Sequence, residues 1–371
     1  MSDSPILLAA GGTGGHLFPA EALAHALAAR GWAAELVTEE RALRYGGDFP
    51  ARAMHVIPAA TPRGGSLLAK AQAVARLALG TAQAVALLRR VKPAAVIGFG
   101  GYPTVPPLLA ASYLGVPSAL HEANGVMGKA NRFLAGRVDR IAAGLPTLAV
   151  PAGSQSKVVV TGNPVRPKVL EAAKTPYPSF DDGIFRLLVA GGSQGARVMA
   201  DIAPAGVAAL PEALRAKVAV VQQARPEDIA RVEAAYAGAG VLAEIAPFFA
   251  DFPARVAAAH YVITRAGAST VSELAVIGRP AMLVPLPHAL DQDQAANAAF
   301  LEAAGGAETV RQSDFTPEFL TRRLCELINA PAQLAARAEA ARRVGVADAA
   351  DRLADLIIGV AESGVAKRRQ G

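Results

Sequence analysis

A chain of 371 residues, 52% hydrophobic and 18% charged, carries enough apolar side chains for a large buried core and enough length for two domains, which excludes wholesale disorder. Its net charge of +6 favours anionic partners such as phosphates, nucleotides or an acidic lipid surface, whereas 5% aromatics with no basic run among them argue against nucleic acid. A single cysteine, Cys325, excludes an internal disulfide and suits a reducing compartment.

The first residues, "MSDSPILLAAGG", have no basic n-region and only a short apolar run, so they do not read as a signal peptide. From Pro5, "PILLAAGGTGGHLFPAEALAHAL" reads as an apolar strand, a glycine loop and an amphipathic helix. Apolar runs "AAELVTEE", "PAAVIGFGG", "PSALHEA" and "RIAAGL" follow, separated by helical stretches. The device then repeats in "FRLLVAGGSQGARVMADIAPAGV", followed by "AKVAVVQQA", "AHYVITRAG" and "PAMLVPLP". Strands alternating with helices predict parallel sheets covered on both faces, hence two Rossmann-like domains facing across a cleft. The crossing is placed near "VVVTGNPVRPKV", where Gly162, Pro164 and Pro167 stiffen the chain. Residues 1–163 then form the first domain, 164–345 the second, and 346–371 a last helix and tail packing back on the first. No window reaches about 18 uninterrupted apolar residues, which argues against a membrane span.

A glycine loop opening a helix is an anion site, because unpaired amides and the helix dipole converge there. Neither loop is a Walker A motif, since no Lys-Ser or Lys-Thr follows, and Leu17 stands where a dinucleotide fingerprint needs its third glycine. Glu39 ends the next strand where a ribose-binding acid would sit, which keeps a nicotinamide reading open. A third loop, "GFGGYPTVPP", adds to the pattern. His16 at a helix start is disfavoured as a cation, and a neutral imidazole beside bound phosphate suits a general base; the alternative is a histidine that merely caps the turn. In "RAGASTVSELAVIGRP", Thr270 and Glu273 fit a capping box, while Glu273 also suits a ribose diol. Gly278 and Pro280 end that helix. Asp291 and Asp293 form a D-x-D pattern of the kind that holds a divalent metal on a diphosphate. Glycine-loop amides neutralise a diphosphate without one, and Gln292 and Gln294 suit sugar hydroxyls.

Six motifs in order, "GGTGGHLFPA", "GFGGYPTVPPLLAA", "HEANGVMGKANR", "TGNPVR", "GGSQGAR" and "RAGASTVSELAVIGRPAMLVPLPHALDQDQAANA", resemble the MurG family of glycosyltransferases over nearly the whole chain. The resemblance implies the GT-B fold and an inverting, metal-independent, cofactor-free transfer of N-acetylglucosamine from UDP-GlcNAc to the C4 hydroxyl of undecaprenyl-diphospho-N-acetylmuramoyl-pentapeptide (lipid I), which makes lipid II for peptidoglycan. It assigns the acceptor lipid to the first domain and the nucleotide sugar to the second.

The resemblance also carries residue roles. Thr13, Gly14 and Gly15 line the cleft, and Gly14, Gly15, Gly100, Gly101, Tyr102 and Asn131 hold the acceptor diphosphate. His16 is the base, with Glu122 as its competitor. Asn124 and Asn131 face the transferred sugar, and Arg166 and Ser193 meet the UDP diphosphate. Phe249 lies where the family's backbone meets uracil, and Ala268, Ser269, Thr270, Val271 and Ser272 wrap the nucleotide. Glu273 takes the ribose and Gln294 the sugar, with the register from Gln292 to Gln294 left open.

The stretch 66–92 puts Leu67, Leu68, Val74, Leu77 and Leu79 near Lys70 and Arg76. Such a helix either faces the core or lies on an anionic leaflet; a lipid-linked acceptor favours peripheral attachment to the cytoplasmic side of the plasma membrane. Cell-wall synthesis or division proteins are then expected among its partners. Rival readings are another GT-B transferase, a UDP-GlcNAc epimerase, a non-catalytic nucleotide-sugar sensor and the nicotinamide enzyme.

Overall fold

Short aliphatic runs bounded by glycine become buried parallel strands, and the alanine-rich stretches between them become helices that cover the sheets. A computed structural model describes residues 4–11, 14–40, 49–59, 67–192, 195–287 and 293–370, with backbone alone for 67–70 and 365–370. It divides into two units, Met1–Arg166 with Ala347–Gly371, and Pro167–Val346.

In the first unit the chain runs β1 (Ile6–Ala9), α1 (Gly14–Ala29), β2 (Ala34–Thr38), β3 (Ala53–Val56), α2 (Leu67–Val91), β4 (Ala95–Gly98), α3 (Val105–Leu114), β5 (Ser118–Glu122), α4 (Lys129–Leu134), β6 (Arg140–Ala143) and β7 (Val158–Val160). The strands form one sheet in the order β3-β2-β1-β4-β5-β6-β7, every neighbouring pair parallel. The order reverses between β1 and β4, where Ala9 pairs with Gly98. That register brings the loops after these two strands together, at the crevice where open α/β sheets bind ligands.

The second unit runs α5 (Pro167–Ala172), β8 (Phe185–Ala190), α6 (Arg197–Ala208), α7 (Glu212–Arg215), β9 (Val218–Gln223), α8 (Ile229–Gly238), β10 (Leu242–Ala246), α9 (Phe252–Ala258), β11 (Tyr261–Thr264), α10 (Ala268–Ile277), β12 (Ala281–Leu283), α11 (Asp293–Ala303), β13 (Ala307–Thr309), α12 (Pro317–Ile328) and α13 (Pro331–Val344). Its strands follow the order β10-β9-β8-β11-β12-β13, again all parallel. Ala190 pairs with Thr264, so the loops after β8 and β11 meet at the corresponding switch point.

A final helix, α14 (Ala349–Gln370), belongs to the first unit. Its Leu353, Ala354, Ile357 and Ala361 are fully buried in one cluster with Ile6, Leu8, Leu23 and Leu27. At about 1.5–3 kcal/mol for each large apolar side chain removed from water, this seam is a main contributor to the unit. Arg30, in the turn just after α1, adds exposed ion pairs to Asp351 at 2.7 Å and Asp355 at 3.1 Å.

Two local readings of the sequence change. The helix α10 starts at Ala268 with Gly267 as its N-cap and no side-chain cap bond, so Thr270 lies inside the first turn and the capping box does not form. Glycine at 267 needs no side chain there, and Ser272 Oγ instead donates to the Ala268 carbonyl at 2.9 Å. The helix α2 over Ala71–Val91 is, by length and composition, apolar enough to cross a membrane. Its second half nevertheless buries Ala84, Leu87 and Leu88 in a core with Val96, Leu108 and Leu120, a packing that a membrane span could not keep. Val74 and Leu79 of its first half are exposed, 62% and 54%.

The second unit buries one guanidinium whole. Arg279, fully enclosed, donates to the carbonyls of Ala257, Ile277, Gly278, Thr175 and Pro176. These acceptors include the ends of α9 and α10, where helix dipoles favour a cation. Burial still pulls the Arg279 pKa down to about 10, with Arg342 adding to the shift.

Candidate active site

The loop after β1 delivers His16 on the first turn of α1. Its Nδ1 lies 3.2 Å from the Gly11 carbonyl, which can only accept, so Nδ1 carries the proton and Nε2 keeps its lone pair. Burial lowers the His16 pKa below its ordinary 6.5, opposed by the charge of Glu122 and by the Gly11 carbonyl. Burial leads the causes of the neutral imidazole that the sequence attributed to the helix start.

The loop after β4 packs on that ring. A Cβ at Gly100 would stand 3.3 Å from His16 Nε2, and one at Gly101 3.4 Å from Cε1. Both glycines have positive φ, 92° and 73°, so this approach needs glycine twice over. Tyr102–Thr104 then makes one 3-10 turn before α3, held by Thr104 Oγ1 donating to the Gly101 carbonyl at 2.8 Å. Among the described residues, the amides of Gly100, Gly101 and Tyr102 find no acceptor, which leaves donors at the mouth of a helix.

The end of β5 supplies the third wall. Glu122 is buried, and its Oε1 accepts from the Asn124 backbone and side-chain amides, both at 3.1 Å. Its Oε2 accepts from Gly128 N at 3.0 Å and Asn131 Nδ2 at 2.9 Å. The carboxylate therefore anchors the loop 123–128 and the first turn of α4. The second Asn131 amide hydrogen goes to the His121 carbonyl at 3.1 Å, and Oδ1 finds no partner among the described residues. As placed, Asn131 offers an acceptor to a hydroxyl or N–H and no donor to a phosphate.

His121, fully buried beside Phe99 with ring centroids 5.6 Å apart, was not singled out by the sequence. Burial pulls its pKa to about 4, and His16 pushes the same way. Arg166, where the unit's first stretch of chain ends, stacks on Phe18 of α1 with its guanidinium carbon 3.9 Å from the ring centroid. The structure thus brings His16, Gly14, Gly100, Gly101, Tyr102, Glu122, Asn124 and Asn131 to one switch point, with Arg166 joined to the same helix; Gly15 is exposed on α1. Thr13 lies outside the described residues.

In the second unit, the loop after β8 is too tight for side chains at Gly191, where a Cβ would fall 2.1 Å from Ala196 N. Gln223 Oε1 accepts from Gly191 N at 3.2 Å, pinning the loop to the next strand. Ser193 lies outside the described residues. The run from Ala268 to Glu273 opens α10, with Ala268, Val271 and Glu273 buried. Arg265 donates to the carbonyls of Val284 and Pro285 and to Gln312 Oε1, and Asn297 Nδ2 donates to the Ala266 carbonyl at 3.1 Å. Gln294 Oε1 accepts from Leu286 N at 3.1 Å, while Gln292 and Asp291 lie outside the described residues. Phe249 is buried under Arg255, whose guanidinium carbon stands 4.3 Å from the ring centroid. Phe248 next to it is 74% exposed. Among the described residues no group of three or more His, Cys, Asp or Glu is arranged to hold a metal.

Comparison with known proteins bears on both halves. The glycosyltransferase family 28 N-terminal domain matches residues 6–143, and the family 28 C-terminal domain matches residues 186–353. Fold and switch-point loops thus define a GT-B glycosyltransferase. The UDP-N-acetylglucosamine–N-acetylmuramyl-(pentapeptide) pyrophosphoryl-undecaprenol N-acetylglucosamine transferase of Methylobacterium sp. (strain 4-46) is 58% identical over 356 residues, 95% of this chain and 96% of that protein. The crystal structure of Acinetobacter baumannii MurG is similar with a TM-score of 0.79 at 30% identity, covering 96% of this chain and 99% of that one. The chain belongs to the MurG family. The UDP-GlcNAc 2-epimerase of Neisseria meningitidis, with a TM-score of 0.67 at 16% identity over 96% of this chain and 100% of that one, shares the fold alone.

Proposed function

We propose that this enzyme transfers N-acetylglucosamine from UDP-GlcNAc to the C4 hydroxyl of lipid I, with inversion, to give the β-1,4-linked lipid II. Membership of the family supports the substrates. The observation that carries the chemistry is His16, whose Nδ1 proton is held by Gly11 while Nε2 keeps its lone pair beside Gly100. Nε2 takes the proton from the acceptor hydroxyl as the oxygen attacks the anomeric carbon. Glu122 is not the base in this reading, because its oxygens already accept four amide hydrogens; its charge favours the imidazolium as it forms.

The acceptor diphosphate meets the amides of Gly100, Gly101 and Tyr102 with Gly14 and Gly15. The oxygen of Asn131 and the amide of Asn124 turn to sugar groups. In the second unit, backbone at Phe249 reads uracil, the ring of Phe248 offers a stacking face, Ala268 to Ser272 wrap the nucleotide, Glu273 takes the ribose and the Gln294 amide a sugar hydroxyl. Charge developing on the leaving UDP meets Arg166 and helix-start amides, an arrangement that needs no divalent ion. The exposed first half of α2, with Val74 and Leu79 beside Arg76, favours peripheral attachment to the cytoplasmic face of the plasma membrane.

The test is transfer of labelled N-acetylglucosamine from UDP-GlcNAc to a short-chain lipid I analogue in the presence of EDTA. Labelled disaccharide-lipid is expected. Its absence while UDP-GlcNAc still binds would point to another acceptor or to a sensor, and recovery only with magnesium would overturn metal independence.

A further inference from the structure

Phe18 follows His16 by two residues on α1, and its ring sits against Gly14 one turn back: a Cβ added at Gly14 would stand 3.0 Å from two ring atoms. Leu17, its neighbour, points into the core, whereas Phe18 is half-buried and carries the half-buried Arg166 guanidinium on its face, 3.9 Å from centroid to carbon. Stacking on an aromatic face fixes the guanidinium plane without drawing on an N–H donor. A leucine would fill similar volume without the negative face.

We propose that Phe18 is a positioning residue that holds the Arg166 plane for the leaving diphosphate, so that one turn of α1 carries the base and also steadies the cation that meets the leaving group. This rests on the reading above in which Arg166 meets that diphosphate. Lysine at 166 keeps the charge and loses the planar stack; tyrosine at 18 keeps the face.

The experiment measures UDP inhibition, the KM for UDP-GlcNAc and kcat for Phe18→Leu, Phe18→Tyr, Arg166→Ala, Arg166→Lys and the double variant Phe18→Leu with Arg166→Ala. Phe18→Leu is expected to weaken UDP about fivefold, the range of a partly desolvated cation–π contact. Phe18→Tyr should restore it to within about twofold on the same ground. The double variant should bind UDP no more weakly than Arg166→Ala, and the acid limb of the pH–rate profile should stay in place because His16 is untouched. If Arg166→Ala weakens UDP and Phe18→Leu does not, the proposal falls and the Arg166 assignment stands. If Arg166→Ala leaves UDP unchanged, the assignment falls and the proposal with it. Should Phe18→Leu melt below assay temperature, Arg166→Lys reads the stack from the other side: a loss of about fivefold supports it, and wild-type inhibition overturns it.

Discussion

The two units share a strand order and a glycine loop, yet their switch points are furnished differently. In the first, groups that titrate crowd together: His16, His121 and Glu122 interact electrostatically and are shielded from water to different degrees. In the second, charged and amide side chains mostly brace the loops, with Arg265 on two carbonyls and a glutamine, Gln223 on Gly191, and Asn297 on Ala266. Near this edge Phe248 is exposed, while Ala268, Val271 and Glu273 are buried. One topology thus gathers titrating groups at one switch point and loop-bracing amides and a guanidinium at the other.

The contrast makes substitutions at the two edges behave differently. His16→Ala should lower kcat about a thousandfold, within the range of general base catalysis, while UDP-GlcNAc affinity measured by calorimetry stays within about twofold. Arg279→Ala should act on stability instead. Its loss removes a donor from five carbonyls, of which those of Ala257, Ile277 and Gly278 belong to buried residues, and chemical denaturation should show the second unit weakened by about 3 kcal/mol.

His121 predicts a pH dependence confined to the first unit. Its folded pKa is about 4 and its unfolded value near 6.5, so between these the unfolded chain binds a proton that the folded chain refuses. Stability should fall as pH drops through 6.5 and level off below 4, by up to about 3 kcal/mol, and urea melts at pH 7, 5.5 and 4.5 read it. His121→Gln should flatten that slope.

Gly100→Ala must place a Cβ at φ 92° against His16 Nε2. It should cost roughly 1 kcal/mol of stability and lower kcat by about tenfold, the lesser part of what a misplaced catalytic group costs. The smallest effect is expected at Arg30→Ala, where two exposed ion pairs to α14 are worth less than about 1 kcal/mol in a thermal melt, and less still in high salt.

The parallel strands of both sheets were largely legible, because fully buried strands read as unbroken apolar runs ending in glycine. Strands β3, β7, β10 and β13 escaped notice: all four lie at sheet edges, β3, β7 and β10 have no buried residue, and β7 and β13 are three residues long. His16, Gly100 and Glu122 were legible as residue types in glycine-flanked loops. The tautomer of His16 was not, since it depends on the carbonyl of Gly11 folding back over five residues. His121 was missed because a histidine inside an apolar run reads as strand interior, and only the pairing of β5 with β4 brings it beside Phe99 and within electrostatic reach of His16. The capping box misled through spacing: the right residues stood one turn too far into the helix, since Gly267 had already opened it.

The seam between α14 and α1 also bears on the order in which the units form. The second unit is one unbroken stretch, Pro167–Val346, whereas the first waits for Leu353, Ala354, Ile357 and Ala361 to cover Ile6, Leu8 and Leu23. During synthesis the second unit has all its strands before the first can close its core. The strand β1 and helix α1, made before the second unit, therefore carry an open apolar face until α14 follows it, an interval in which chaperones or neighbouring nascent chains can reach that face.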